Sequence, residues 1–111
     1  MEKIVIGFIE KVRIKDKEVV ARIDTGAKRN SICVELAAEL KLGPIVKTHT
    51  IISPNGKEVR PVVEAEIEIS GKKIKSLFNI TDRAHMKYRM LIGQEILKQG
   101  FLIDPSKSNP E

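Results

Sequence analysis

Asp24 closes a β-branched run and opens the sequence Asp24-Thr25-Gly26-Ala27, which makes it the residue of this chain best placed to do chemistry. A carboxylate that activates water for attack on a carbonyl works as one of a pair sharing a single proton. One member acts as base toward the water, while the other, protonated, polarises the carbonyl. Two carboxylates this close cannot both ionise cheaply, so their protons leave in separate steps. The run Val19-Val20-Ala21-Arg22-Ile23 forms a strand that delivers Asp24 to a turn. Thr25 offers a hydroxyl that can brace the turn, and Gly26 lets backbone approach the carboxylate closely. The same residue types also suit an aspartate that simply closes an Asx-turn at a strand end.

The elements that must hold Asp24 are mostly strands. Ile4 to Ile14 is rich in β-branched residues, Lys15-Asp16-Lys17 makes a hairpin tip, and Glu18 to Ile23 returns. Ser31 to Leu42 is the best helix candidate, with Ser31 as its cap and Gly43-Pro44 as its stop. Ile45 to Ile52 is a strand, followed by Ser53-Pro54-Asn55-Gly56, where Asn-Gly favours a tight hairpin. From Val62 to Ile69 the chain alternates, with Val63, Ala65, Ile67 and Ile69 on one face and Glu64, Glu66 and Glu68 on the other. The glutamate row suits a solvated sheet face better than a cation site. A turn at Ser70-Gly71-Lys72 leads to a strand from Ile74 to Ile80. Met90-Leu91-Ile92-Gly93 is a short apolar strand closed by glycine, Gln94 to Lys98 one or two helical turns, and Gly100 to Pro105 a last strand. Six or seven strands with one or two short helices predict an all-β domain, closed or folded over.

Composition sets the outer bounds. The chain has 111 residues, enough for one domain, which we place at 1–105 with a polar tail at 106–111. Hydrophobic residues make up 41% and charged residues 32%, so a packed globular chain is expected rather than a disordered one. Apolar runs are far too short to span a membrane, and the first residues lack the pattern of a signal peptide, so a cytoplasmic location is expected. The single cysteine, Cys33, excludes an intrachain disulfide and reads as a small core residue. The net charge is +5, but the basic residues are spread along the chain and only four aromatics accompany them, so a nucleic-acid partner is not expected. No His-Glu-x-x-His pair or Cys-x-x-Cys is present, and His49, His85 and Cys33 are widely separated; ligand spacing therefore supports neither zinc nor any other cofactor.

Arg22-Ile23-Asp24-Thr25-Gly26-Ala27, taken together with Met90-Leu91-Ile92-Gly93-Gln94-Glu95-Ile96-Leu97, resembles the retropepsin pattern. A more specific stretch, Thr81-Asp82-Arg83 with Met86 and Tyr88, followed by Phe101-Leu102-Ile103-Asp104-Pro105, is similar to a prokaryotic branch of that family. Its members are small proteins labelled ATP-dependent zinc proteases and are linked with ATP-grasp glutamate ligases. The resemblance covers about Ile4 to Pro105. It implies a closed retropepsin-like β-barrel of the acid-protease fold, with Asp24 as catalytic residue and Thr25, Gly26 and Ala27 as its supporting loop. It implies that Ile92 and Gly93 lie beneath that loop and that Pro54, Asn55 and Gly56 form a flap, here poorer in glycine than the family's.

One Asp-Thr-Gly per chain then demands a homodimer, each subunit bringing its Asp24 to a two-fold axis. The activity implied is hydrolysis of peptide bonds in a peptide or protein substrate, with acidic or glutamate-modified chains among the candidates. Arg83 and Arg89 are candidates for holding a substrate carboxylate, or alternatively for salt bridges within the domain. Ala27 stands where some relatives carry serine; one donor fewer for the ionised pair predicts best activity at mildly acidic to near-neutral pH. Two further readings stay open: a zinc-dependent peptidase, as the branch label has it, and a non-catalytic module that binds a peptide or partner in the cleft.

Overall fold

The computed structural model describes residues 2–82 and 87–107. Arg83, His85 and Met86 lie outside the described residues, as does most of the tail expected at 106–111.

Among the described residues the elements run β1 (Ile4–Ile6), β2 (Ile9–Ile14), β3 (Lys17–Ile23), β4 (Asn30–Cys33), α1 (Val34–Glu39), β5 (Ile45–Ser53), β6 (Gly56–Ile69), β7 (Lys72–Thr81), β8 (Met90–Ile92), α2 (Gln94–Leu97) and β9 (Phe101–Ile103). Six strands close on themselves in the order β2-β3-β8-β4-β7-β6, with β6 pairing back onto β2 through Val12↔Ile69 and Ile14↔Ile67. The expected closed all-β barrel is therefore what the chain forms. β5 rides outside the ring on the first half of β6, and β1 and β9 pair parallel as a separate two-stranded sheet. No helix among the described residues is long and apolar enough to cross a membrane.

The alternating run behaves as its period requires. Val63, Ala65, Ile67 and Ile69 are buried in the barrel with Val12, Ile14, Ile74 and Phe78, while Glu64 and Glu66 are exposed. Across the β6–β7 ladder Glu66 faces Lys75 and Glu68 faces Lys73, so the glutamate row is a solvated face opposed by lysines. Ser70 and Gly71 both take positive φ (49° and 81°), as a two-residue hairpin turn needs.

Four local expectations are corrected. The first strand breaks at Gly7-Phe8 into β1 and β2, because β1 leaves the barrel to pair with β9. The helix does not begin at Ser31. Asn30–Cys33 is instead a fully buried strand between β7 and β8, and this tertiary pairing outweighs helix propensity. Cys33 is the actual N-cap of α1, its Sγ accepting the Leu36 N–H at 3.3 Å. The hairpin between β5 and β6 centres on Pro54-Asn55, with Gly56 as the first paired residue at φ 116°, rather than on Asn55-Gly56.

One feature of the topology builds the site. β3 and β4 are consecutive in sequence, yet β8 lies between them, parallel to β3 and antiparallel to β4. The segment 24–29 must therefore arch over the end of β8, where Gly93 follows.

Candidate active site

Asp24 continues the β3–β8 ladder by one rung, its N–H donating to the Ile92 carbonyl at 2.9 Å. Its Oδ1 accepts the Gly26 N–H at 2.9 Å, and its carbonyl accepts the Ala27 N–H at 3.2 Å. This is the Asx-turn geometry, and it serves to aim the carboxylate. Gly26 passes so close that an added Cβ would stand 3.3 Å from Asp24 Oδ1. Among the described residues Oδ2 accepts no hydrogen bond.

The loop is pinned from below. Gln94 and Glu95, the first residues of α2, donate their N–H groups to the carbonyls of Ala27 (2.8 Å) and Lys28 (3.2 Å). The helix start and the loop thereby satisfy each other's free groups. Gln94 Nε2 donates to the Thr25 carbonyl at 2.8 Å. Gly93 lies directly under the loop, and there is no room for a side chain there. Ile92 is buried beside it.

The residue that locks these parts together is Asn30, which sequence reasoning did not single out. It is fully buried, and its Oδ1 accepts the Gly93 N–H at 2.8 Å. Its Nδ2 donates to Ser76 Oγ at 3.1 Å and to the Leu77 carbonyl at 3.0 Å. One amide thus joins β4, β7 and the end of β8 beneath Asp24.

Two cavities open on the loop. One, of about 400 Å³, is lined by Phe8, Ile9, Arg22, Asp24, Thr25 and Tyr88 among others. The other, of about 490 Å³, lies between residues 27–31 and the inward face of the β5–β6 hairpin, with Lys28, Arg29, His49 and Arg60 in its wall. The hairpin therefore faces the loop, although its tip, Pro54, Asn55 and Gly56, does not line this cavity and is exposed.

Two ion pairs and a histidine with a shifted pKa border the second cavity. Arg60 forms a two-point pair with Glu58, Nε to Oε2 at 2.8 Å and Nη2 to Oε1 at 3.3 Å, which holds the Glu58 carboxyl below its usual range. Arg29 stands 3.7 Å from Glu95. His49 Nδ1 lies 3.2 Å from Asn79 Nδ2, which donates to it when the ring is neutral. Burial, followed by repulsion from Arg29, Arg60 and Lys47, lowers the pKa of His49.

Arg89 belongs elsewhere. Its guanidinium packs on Cys33 and lies 3.7 Å from Glu39, which also pairs with Lys17; it lines neither cavity. Cys33 is fully buried, as a core residue should be. Among the described residues no three histidine, cysteine, aspartate or glutamate side chains gather as a cation site.

A family model described as RimB-like, the retropepsin-like aspartic endopeptidase RimB, matches residues 35–110. That span contains Gly93 and the hairpin, and starts after Asp24. A probable alpha-L-glutamate ligase of Shewanella pealeana (strain ATCC 700345 / ANG-SQ1) is 30% identical over 115 residues, covering 81% of this chain and 25% of that protein. The same description, identity and coverage hold for a protein of Shewanella halifaxensis (strain HAW-EB4). The chain thus spans about a quarter of the length of these curated relatives. Among solved structures, Lpg0085 of Legionella pneumophila, a DUF785 protein of unknown function, superposes with a TM-score of 0.69 at 22% identity, covering 96% of this chain and 97% of that one. The simian foamy virus protease superposes with a TM-score of 0.65 at 18% identity, covering 81% of this chain and 91% of that one. Both share the fold.

Proposed function

The chain belongs to the RimB-like family of retropepsin-like aspartic endopeptidases, and on that premise we propose that it hydrolyses peptide bonds as a homodimer, with the two Asp24 carboxylates meeting at the two-fold axis. The observation that carries this reading is the aimed carboxylate: Asp24 at the end of β3, fixed by the Gly26 N–H, on a loop that α2 and Asn30 hold from below. A chain with one such aspartate completes a dyad only with a second copy.

In that dyad the ionised Asp24 takes a proton from a water held between the two carboxylates. The protonated partner donates to the oxygen of the scissile carbonyl as the water oxygen bonds to its carbon. The amide nitrogen next receives the proton that Asp24 took from the water, while one hydroxyl of the tetrahedral intermediate gives its proton to the partner carboxylate, so the dyad again holds one proton. The C–N bond then breaks, releasing a carboxylic acid and an amine. Thr25, beside Asp24, would brace the two loops across the axis.

The substrate class proposed is an acidic or glutamate-bearing peptide. Lys28, Arg29 and Arg60 line the cavity beside the loop and favour negative charge. The relatives described as glutamate ligases make a glutamate-rich chain a reasonable substrate for a domain similar to part of them. Arg83 keeps its proposed role as a carboxylate contact, and a cytoplasmic setting accords with these partners. The non-catalytic alternative draws on the same basic cavity, which serves a binder equally well. A zinc peptidase has no support from the arrangement of donors among the described residues.

The deciding experiment is Asp24→Asn, assayed on a glutamate-rich peptide while sedimentation reports the oligomer. Loss of turnover in an intact dimer is expected. Undiminished proteolysis by the variant would end the aspartyl reading, and activity abolished by a chelator would turn it toward the metal one.

A further inference from the structure

Arg22 has the placement of a specificity residue. It occupies β3 two positions before Asp24, and successive side chains of a strand alternate between faces. Ala21 and Ile23 point into the core at 0% and 3% exposure, so Arg22 and Asp24 emerge together on the outer face. Both line the cavity of about 400 Å³. Ile9, directly opposite Arg22 across the β2–β3 ladder, floors that cavity at 7% exposure, and Phe8 and Tyr88 stand in its wall.

The charge is conspicuous for its place beside Asp24 and because no carboxylate among the described residues pairs with it. Arg29, Arg60 and Arg89 each have a glutamate partner, whereas Arg22 and Arg13 form no ion pair among the described residues, and of these two only Arg22 lines the cavity with Asp24. An unpaired arginine in an apolar-floored pocket beside a carboxylate is suited to binding a second carboxylate, which its planar fork can hold through two hydrogen bonds. It also removes an obstacle. A dyad sharing one proton carries a net negative charge, and an acidic side chain next to the scissile bond would be repelled by it. A fixed cation at this point offsets that repulsion.

Resting on the peptidase reading, we propose that Arg22 selects an acidic side chain on the residue flanking the scissile bond, with the apolar part of that side chain seated on Ile9.

The test uses peptides that differ only at that residue, carrying Glu, Gln or Lys. Wild-type kcat/KM should favour Glu over Gln by about tenfold or more, the range for a hydrogen bond to a charged group. Arg22→Ala should bring the two within about twofold, Arg22→Lys should keep part of the preference, and Arg22→Glu should shift it toward Lys. Circular dichroism confirms that the exposed-face variants remain folded. Calorimetric binding of the same peptides to the Asp24→Asn protein separates the two claims. Binding that prefers Glu and loses the preference with Arg22→Ala, in a wild-type chain that cleaves nothing, would defeat the peptidase reading and uphold Arg22. Equal affinity for Glu and Gln, or an unaltered cleavage preference in Arg22→Glu, overturns the proposal.

Discussion

Gly93 packs against the backbone of Arg29 so closely that a Cβ added to Gly93 would stand 2.4 Å from the Arg29 carbonyl oxygen, and 2.8 Å from that of Ala27. Both obstacles are backbone atoms of the loop that carries Asp24, so neither can turn aside as a side chain would. Gly93→Ala must therefore lift the loop or push β8 away from it. Overpacking of this kind costs about 1–3 kcal/mol. We expect a lower urea midpoint and a loss of turnover out of proportion to the fraction unfolded, because the displaced segment is the one that aims the carboxylate. A variant as stable and active as wild type would show that the loop is not seated on Gly93.

Asn30 supplies the matching polar constraint. Replacing it with Ala leaves the Gly93 N–H and Ser76 Oγ without their partner in a buried site, at a cost of about 1–3 kcal/mol for each group left unsatisfied. Asn30→Asp keeps the acceptor for Gly93 but loses the donor to the Leu77 carbonyl and buries a carboxyl group. Both variants should melt several degrees lower, measured by calorimetry. Hydrogen exchange at the Gly93 amide should speed up more than exchange in the β6–β7 hairpin.

Much of this was legible in the sequence, for local reasons. The alternation from Val62 to Ile69 needs only its period to show which face is buried, and Ser70-Gly71 needs only its φ preferences to mark a turn. Asp24 and Gly93 were singled out by two short motifs read together, since Asp24-Thr25-Gly26 alone equally suits an Asx-turn. What was hidden depends on distant partners. Ser31 looks like a helix cap, and Asn30 like an ordinary polar residue before it, until β7 and β8 close around them, because the decisive Asn30 contacts lie 46 and 63 residues away. Arg22 looks like any solvent-facing strand residue until Phe8 and Ile9 bring an apolar floor beside it. The pairing of His49 with Asn79 spans 30 residues and leaves no local trace.

His49 makes stability depend on pH in a window away from the carboxylates. Its pKa is lowered from the ordinary 6.5, first by burial and then by Arg29, Arg60 and Lys47. Below pH 6.5 the unfolded chain therefore binds its proton more readily than the folded one does. Stability falls as the pH drops from 6.5 through the folded pKa, and is fully regained above 6.5. Glu39, Glu58 and Asp104 have lowered carboxyl values and lose their contributions only at more acid pH. Urea unfolding at pH 5 and pH 7.5 should show the wild-type chain weaker at pH 5, with the difference reduced in His49→Gln. An identical difference in both proteins would assign the slope to other groups.

The cations of the hairpin cavity predict how binding responds to salt and to single substitutions. Affinity of the Asp24→Asn protein for a glutamate-rich peptide should fall as ionic strength rises, since part of the attraction acts across solvent. Arg60→Gln should weaken binding by more than the loss of one cation. Glu58, at present neutralised by Arg60, would be left as an unpaired carboxylate near the same cavity and would repel the ligand. Glu58→Gln alone frees the Arg60 fork and should tighten binding, while the double variant should fall between the two single ones. Lys15, at the β2–β3 hairpin tip and outside this cavity, serves as the control for overall charge. Titration calorimetry of the Asp24→Asn parent and these four variants at two salt concentrations separates the outcomes. If Lys15→Gln weakens the peptide as much as Arg60→Gln does, net charge rather than the cavity governs recognition.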